Sequence, residues 1–140
     1  MTQQVNPNII TGSTPNGSAD GVINIDWRGT YPLDATVLNA AQQVFLNGGQ
    51  QTICYQVAGI AGGTVLTPEY TVDNGASWHV DAIATAGAKA ATLTATGVAF
   101  AGVSGYTGHR LRVSTVGTGT VTVFYSATTG SSQHLSPLSP

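Results

Sequence analysis

Three histidines, His79, His109 and His134, and the carboxylates Asp26, Asp73 and Asp81 are the groups in this chain best suited to move a proton or hold a metal. Nucleophilic catalysis needs a nucleophile, a base and a group that orients the base, all within hydrogen-bond reach. Serine is plentiful, yet no serine stands in a Gly-x-Ser-x-Gly nucleophile elbow. His79 and Asp81 are two residues apart, which puts both on one face of a strand, but no third ligand accompanies them. Asp73, Asn74 and Asp81 offer hard oxygens without the ligand spacing of a calcium loop, so Asp73-Asn74 reads as a turn. The single Cys54 excludes an intrachain disulfide and a cysteine zinc cluster. It alternates with Ile53 and Tyr55, as a small buried residue would. No catalytic residue, metal site or cofactor is assigned, and the chain is expected not to be an enzyme.

The elements that would have to position any such groups are short strands. Ile53, Tyr55 and Val57 share one face, as do Val121, Val123 and Tyr125. Leu111 and Val113 alternate with Arg110 and Arg112; Trp78, Val80 and Ala82 alternate with Ser77, His79 and Asp81; Leu93 sits among threonines. Period-two alternation marks half-buried antiparallel strands, and the abundance of Thr and Val agrees. Asn47-Gly48-Gly49, Asp73-Asn74-Gly75, Gly105-Tyr106-Thr107-Gly108 and Gly117-Thr118-Gly119 punctuate the runs as turns. Pro68 inside the run 64–72 points to an edge or a bulge. The Ala-rich stretch 82–91 lacks an amphipathic stripe and reads as a loop. The expected architecture is all-β: a single antiparallel β-sandwich, jelly-roll-like, with seven or eight strands between Ala35 and Ala127. Residues 1–34 read as an extended N-terminal arm and linker, 35–130 as the sandwich, and 131–140 as a short C-terminal tail.

Charge is the compositional anomaly. Charged residues make up 7% of the 140, against roughly 25% in an ordinary soluble domain. None occurs from Ala35 to Pro68 or from Val113 to Pro140. A free protein keeps itself dispersed with mixed surface charge; a chain that gives this up is expected to have neighbours covering much of its surface. Four cations against six carboxylates argue against binding nucleic acid, which takes several Lys or Arg on phosphates. No apolar run approaches the ~20 residues of a membrane helix. The start, Met1-Thr2-Gln3-Gln4-Val5-Asn6-Pro7, lacks the basic and apolar regions of a signal peptide, so synthesis in a host cytoplasm is expected.

One stretch runs from Gln50-Gln51-Thr52-Ile53-Cys54-Tyr55-Gln56-Val57-Ala58-Gly59 to Gly62-Gly63-Thr64-Val65. It continues through Pro68-Glu69-Tyr70-Thr71-Val72-Asp73-Asn74-Gly75-Ala76-Ser77-Trp78, and later Tyr106 to Val113 precedes Gly119-Thr120-Val121-Thr122-Val123-Phe124-Tyr125. In this order the chain resembles the small β-sandwich modules of tailed-bacteriophage virion proteins, over about Gln50 to Ser126. Such modules occur as capsid decoration or cement proteins and as head-fibre or tail components. The resemblance implies a non-enzymatic structural protein of the virion, a decoration or cement protein on the outer surface of the shell. Its implied partners are copies of itself, as dimer or trimer, and the major capsid protein or another virion protein. The long Ala/Gly/Thr segment 82–97 departs from that pattern.

Residues able to anchor partners are Ile9 and Ile10 in the arm, Trp27, Arg28 and Tyr31 just before the sandwich, and Tyr106 in a loop. Trp, Tyr and Arg dominate interface hot spots. Trp78 and Tyr125 fall on core faces. The alternative function is a receptor- or carbohydrate-binding module of a phage tail or head fibre, because β-sandwich lectins use exposed Trp or Tyr as sugar platforms.

Overall fold

The computed structural model describes residues 27–85 and 88–129, which form ten strands and no helix. In chain order they are β1 (Trp27–Asp34), β2 (Val44–Phe45), β3 (Thr52–Ala58), β4 (Val65–Thr71), β5 (His79–Val80), β6 (Ile83–Thr85), β7 (Lys89–Ala90), β8 (Gly97–Gly102), β9 (Gly108–Thr115) and β10 (Thr120–Thr128). A six-stranded sheet has the order β1-β10-β3-β8-β6-β7, and a four-stranded sheet the order β2-β9-β4-β5. Every pairing is antiparallel.

Leaving out the β6–β7 hairpin, eight strands remain in the orders 1-10-3-8 and 2-9-4-5. Successive strands then cross from one sheet to the other, except for the β4–β5 hairpin within the small sheet, and the first strand pairs with the last. That is jelly-roll connectivity, two Greek keys folded into a double sheet. The Ala/Gly/Thr segment 82–97 holds the extra hairpin. Residues 82–91, expected to be a loop for want of an amphipathic stripe, contain this strand pair, closed by Thr85 N–H donating to the Ala88 carbonyl, 2.8 Å. Ile83, fully buried, is its anchor.

The core is the alternation made solid. Ile53, Tyr55 and Val57 of β3, Leu111 and Val113 of β9, and Val121 and Val123 of β10 are buried between the sheets. Ala99 and Ala101 of β8 face the bulkier β3 across Tyr55 and Ile53, so large and small side chains alternate along the layer. Pro68 fits its strand for a definite reason. The Leu66 N–H and carbonyl both bond Leu93, and the Pro68 carbonyl accepts from Asp81 N–H. The N–H that Pro68 lacks therefore falls on the sparsely paired side of β4, and the register shift of that strand lies at Val65/Leu66.

Two differences from the sequence reading matter for function. Residues 27–34, assigned to the arm, are β1, paired along its whole length with β10 from Trp27↔Ala127 to Asp34↔Thr120. Ile9, Ile10 and His134 lie outside the described residues. Second, Trp78 and Val80 face outward and Asp81 turns in. Val80 stands opposite Glu69 on the outer face of the small sheet. An edge position allows this inversion, because β5 has no described strand beyond it to bury an apolar face.

Candidate interaction surface

The groups with chemical potential converge, but in the interior. Tyr55 of the large sheet and His109 of the small sheet are both fully buried, with the tyrosine hydroxyl 2.7 Å from His109 Nδ1. His109 Nε2 lies 2.9 Å from an Asp81 oxygen. Burial, helped by nearby Tyr31, Asp81 and Tyr125, pushes the Tyr55 hydroxyl well above its ordinary pKa, so it keeps its proton. An ionised carboxylate can only accept. The consistent arrangement has Tyr55 O–H donating to Nδ1 and His109 Nε2–H donating to Asp81. The chain of bonds satisfies polar groups that would otherwise be costly in the core, and it ties the two sheets together. No substrate can reach Tyr55 or His109 without opening the sandwich. His79 goes elsewhere, its ring 5.4 Å from Tyr70, so the His79–Asp81 pair of the sequence is split between two environments. Among the described residues no three His, Cys, Asp or Glu side chains assemble into a metal-holding group.

The loop end near β5 is built by hydroxyls. Asn74 and Gly75 both take positive φ, 59° and 92°, the backbone that Asn-Gly tolerates best. Asp73 accepts from the Ser77 hydroxyl at 2.6 Å, the Thr71 hydroxyl at 2.7 Å and the Ser77 N–H at 2.9 Å. These bonds hold its carboxyl well below the usual carboxylate range. Turn formation thus accounts for Asp73 and Asn74. Beside this loop Tyr106 stacks on Tyr70, centroids 4.3 Å apart, so Tyr106 is half-buried in an aromatic pair.

The outer face of the small sheet carries a closed group of charges, Glu69 with Arg110 and Arg112. Glu69, only 6% exposed, receives Arg110 Nε on one oxygen and Arg112 Nε on the other, each at 2.8 Å. Arg112 also donates to Asn39 Oδ1, and the Arg110 guanidinium lies 4.1 Å over the Trp78 ring. Thr67 donates to Ser114, which donates to the Val65 carbonyl. Trp78, expected in the core, is instead the half-buried lid of this cluster. Phe45 and Val80 are exposed at its two margins.

The outer face of the large sheet is built differently. Side chains there alternate with the core positions, and the register aligns them into rows. One row is Thr30–Phe124–Gln56–Val98; another is Arg28–Ser126–Cys54–Phe100–Ala84–Lys89. Phe124 is 44% exposed and Val98 51%. Strands β10, β3, β8 and β6 carry no charged residue, and the face's charges, Arg28, Asp34 and Lys89, stand on the edge strands β1 and β7. Cys54 is half-buried on this face, where burial pushes its thiol up. The face is a neutral surface of hydroxyls, an amide and aromatic rings.

The predicted anchors scatter over these features. Trp27 and Arg28 are exposed at the start of the edge strand β1. Tyr31, three residues on, is a correction: at 2% exposure it is a core residue, tilted against Tyr125 with centroids 5.8 Å apart. It shares the inward face of β1 with Leu33, and Tyr125 lies across Gly29, leaving no room for a Cβ there. Phe124 and Val98 were missed. Their signal was their alternation with the core positions Val123 and Ala99, combined with a charge-free strand.

No family model and no curated sequence matches the chain. In fold it is similar to the crystal structure of the SPBc2 prophage-derived protein YomS, with a TM-score of 0.61 and 13% sequence identity over 76% of this chain and 97% of that one.

Proposed function

We propose that this chain is a non-enzymatic structural protein of a bacteriophage particle, a decoration or cement protein that sits on the outside of the capsid shell and stabilises it. The observation that carries the reading is the uncharged centre of the outer face of the large sheet, around Phe124, Gln56 and Val98 on strands β10, β3 and β8. An uncharged row with exposed aromatic and aliphatic side chains is suited to apolar burial and neutral hydrogen bonds against another protein. The likeness to a prophage-derived protein supports a phage origin at the level of fold. Jelly rolls serve both as viral capsid domains and as lectins, so the fold does not choose between particle and sugar. The Tyr70–Tyr106 stack beside exposed His79 favours a second reading, a glycan-binding module of a tail or head fibre.

The test is co-sedimentation of the purified chain with capsid shells of the phage that encodes it, alongside a glycan panel. The decoration reading expects binding to shells in 1 M NaCl, where Debye screening shortens to ~3 Å and exposed ion pairs lose their hold. It expects loss of binding with Phe124→Asp and no glycan capture. Glycan capture abolished by Tyr106→Ala, with no affinity for shells, establishes the second reading instead.

A further inference from the structure

The sandwich has four sheet edges, and they are unequal. β2, β5 and β7 are two residues long, too short to template another strand. β1 is eight residues long, ends the large sheet, and has no described strand on its other side. The alternation of its backbone can be read from its end. Ala35 N–H bonds the Gly119 carbonyl and Ala35 C=O accepts from Gly117, so odd-numbered positions face β10. Arg28, Thr30 and Pro32 turn their backbone groups to the open side, and so does Asp34, whose carbonyl already accepts from Val37 N–H. Pro32 supplies a carbonyl there but no N–H.

An edge of this kind is guarded against indiscriminate pairing and still open to one particular partner. Arg28 and Asp34 are exposed, point to the same outer face, and are six positions apart with Pro32 between them. Pairing β1 with itself about Arg28 sets two arginines opposite each other. Pairing about Pro32 opposes two prolines with no donor between them. Pairing about Tyr31 opposes Arg28 with Asp34 at both ends and lets each Thr30 N–H reach a Pro32 carbonyl. Opposite charges in directly facing positions favour a register, and like charges disfavour it. The Asp34 carboxylate keeps an oxygen for this, since Thr36 N–H and hydroxyl both bond Oδ1.

We propose that two copies of this chain join edge to edge through β1, antiparallel about a two-fold axis at Tyr31, with Arg28 of each copy facing Asp34 of the other. The two large sheets become one continuous sheet, and the two neutral outer faces one continuous surface. A two-fold pairing is isologous and closed, so it stops at the dimer. The inference stands on the edge and its charges alone, independently of any role on a particle.

Sedimentation of the full chain by itself tests it. At about 100 μM even a weak edge pairing is populated, and the expected species is a dimer. Thr30→Pro removes an outward N–H and leaves the β10 side of the strand intact; it is expected to give a folded monomer. Arg28→Asp opposes two like-charged pairs and is expected to weaken the dimer about tenfold. Adding Asp34→Arg to it is expected to bring affinity back to within about threefold. Because Asp34 also holds the Thr36 turn, thermal melting accompanies each variant, and Arg28→Lys, expected to dimerise like the wild type, controls for substitution at the site. A monomeric wild type overturns the proposal, as does a dimer that survives Thr30→Pro. A dimer that ignores Arg28→Asp overturns the register.

Discussion

The two outer faces of this sandwich treat polarity in opposite ways. On the small sheet, Glu69, Arg110, Arg112, Asn39 and Trp78 satisfy one another in a closed network. On the large sheet, Thr30, Gln56, Thr122 and Ser126 stand among Phe124, Val98 and Phe100 with no charge on the central strands. The first face finishes its own chemistry and contributes to the stability of the monomer. The second leaves polar and apolar groups turned outward together. Charge on the small sheet is tied up in supporting the fold, and on the large sheet it is confined to the edge strands β1 and β7.

The comparison sharpens if side chains on the small sheet cost stability and those on the large outer face do not. The largest effect is expected at His109, the inward side of the small sheet. His109→Ala leaves a cavity and strands the Tyr55 hydroxyl and the Asp81 carboxylate, at about 3 kcal/mol of unfolding free energy in urea melts. His79→Ala, at the exposed edge, should stay within about 0.5 kcal/mol. Equal losses at the two histidines would remove the interior network from the account.

Next comes Glu69. Glu69→Gln leaves two guanidiniums without their counter-charge. The expected cost is about 2 kcal/mol, less than for a fully buried pair because both arginines are partly exposed. Gln56→Glu places a charge in the middle of the neutral face and should change monomer stability by no more than about 0.5 kcal/mol. If Gln56→Glu destabilised the monomer as much as Glu69→Gln, the neutral face would be part of the fold rather than a surface kept for contact.

The smallest effect is pH-dependent and belongs to the Asp73 loop. Hydroxyls of Ser77 and Thr71, then the Ser77 N–H, lower the Asp73 pKa in the folded chain. A group depressed on folding stabilises above its unfolded pKa and loses that contribution as pH falls through the folded value. Melting temperature should therefore decline below about pH 4, where unfolded aspartate titrates. Asp73→Asn should lower it at neutral pH and flatten part of that acid limb. Asp34, depressed the same way by Thr36, accounts for another part. An acid limb unchanged in Asp73→Asn would mean that the loop bonds form equally well in the unfolded chain.

Much of the architecture was legible in the chain. Ile53/Tyr55/Val57, Leu111/Val113 and Val121/Val123 announced their faces because the β pleat has period two and one side must be buried. The turns at Asn74-Gly75 and Gly117-Thr118-Gly119 were legible because their backbone needs residues that tolerate them; at Gly117 a Cβ would run into the Ala61 carbonyl and the Thr64 hydroxyl. The absence of charge from whole strands was visible as well, and with it the expectation of a contact surface.

Tertiary structure decided what depends on partners far away in sequence. Tyr31 looked like an exposed anchor because it is an aromatic standing just before the expected start of the sandwich, but its segment is an edge strand, and Tyr125, distant in sequence, packs over Gly29 and beside Tyr31. His109, Asp81 and Tyr55 come from three separate strands or loops, so no spacing could announce their bonds. Nor could the sequence say that the uncharged strands β10, β3 and β8 lie side by side, since strand order in a jelly roll is set by the crossing between sheets. Periodicity fixes which way a side chain points; only the pairing of distant strands fixes what stands next to it.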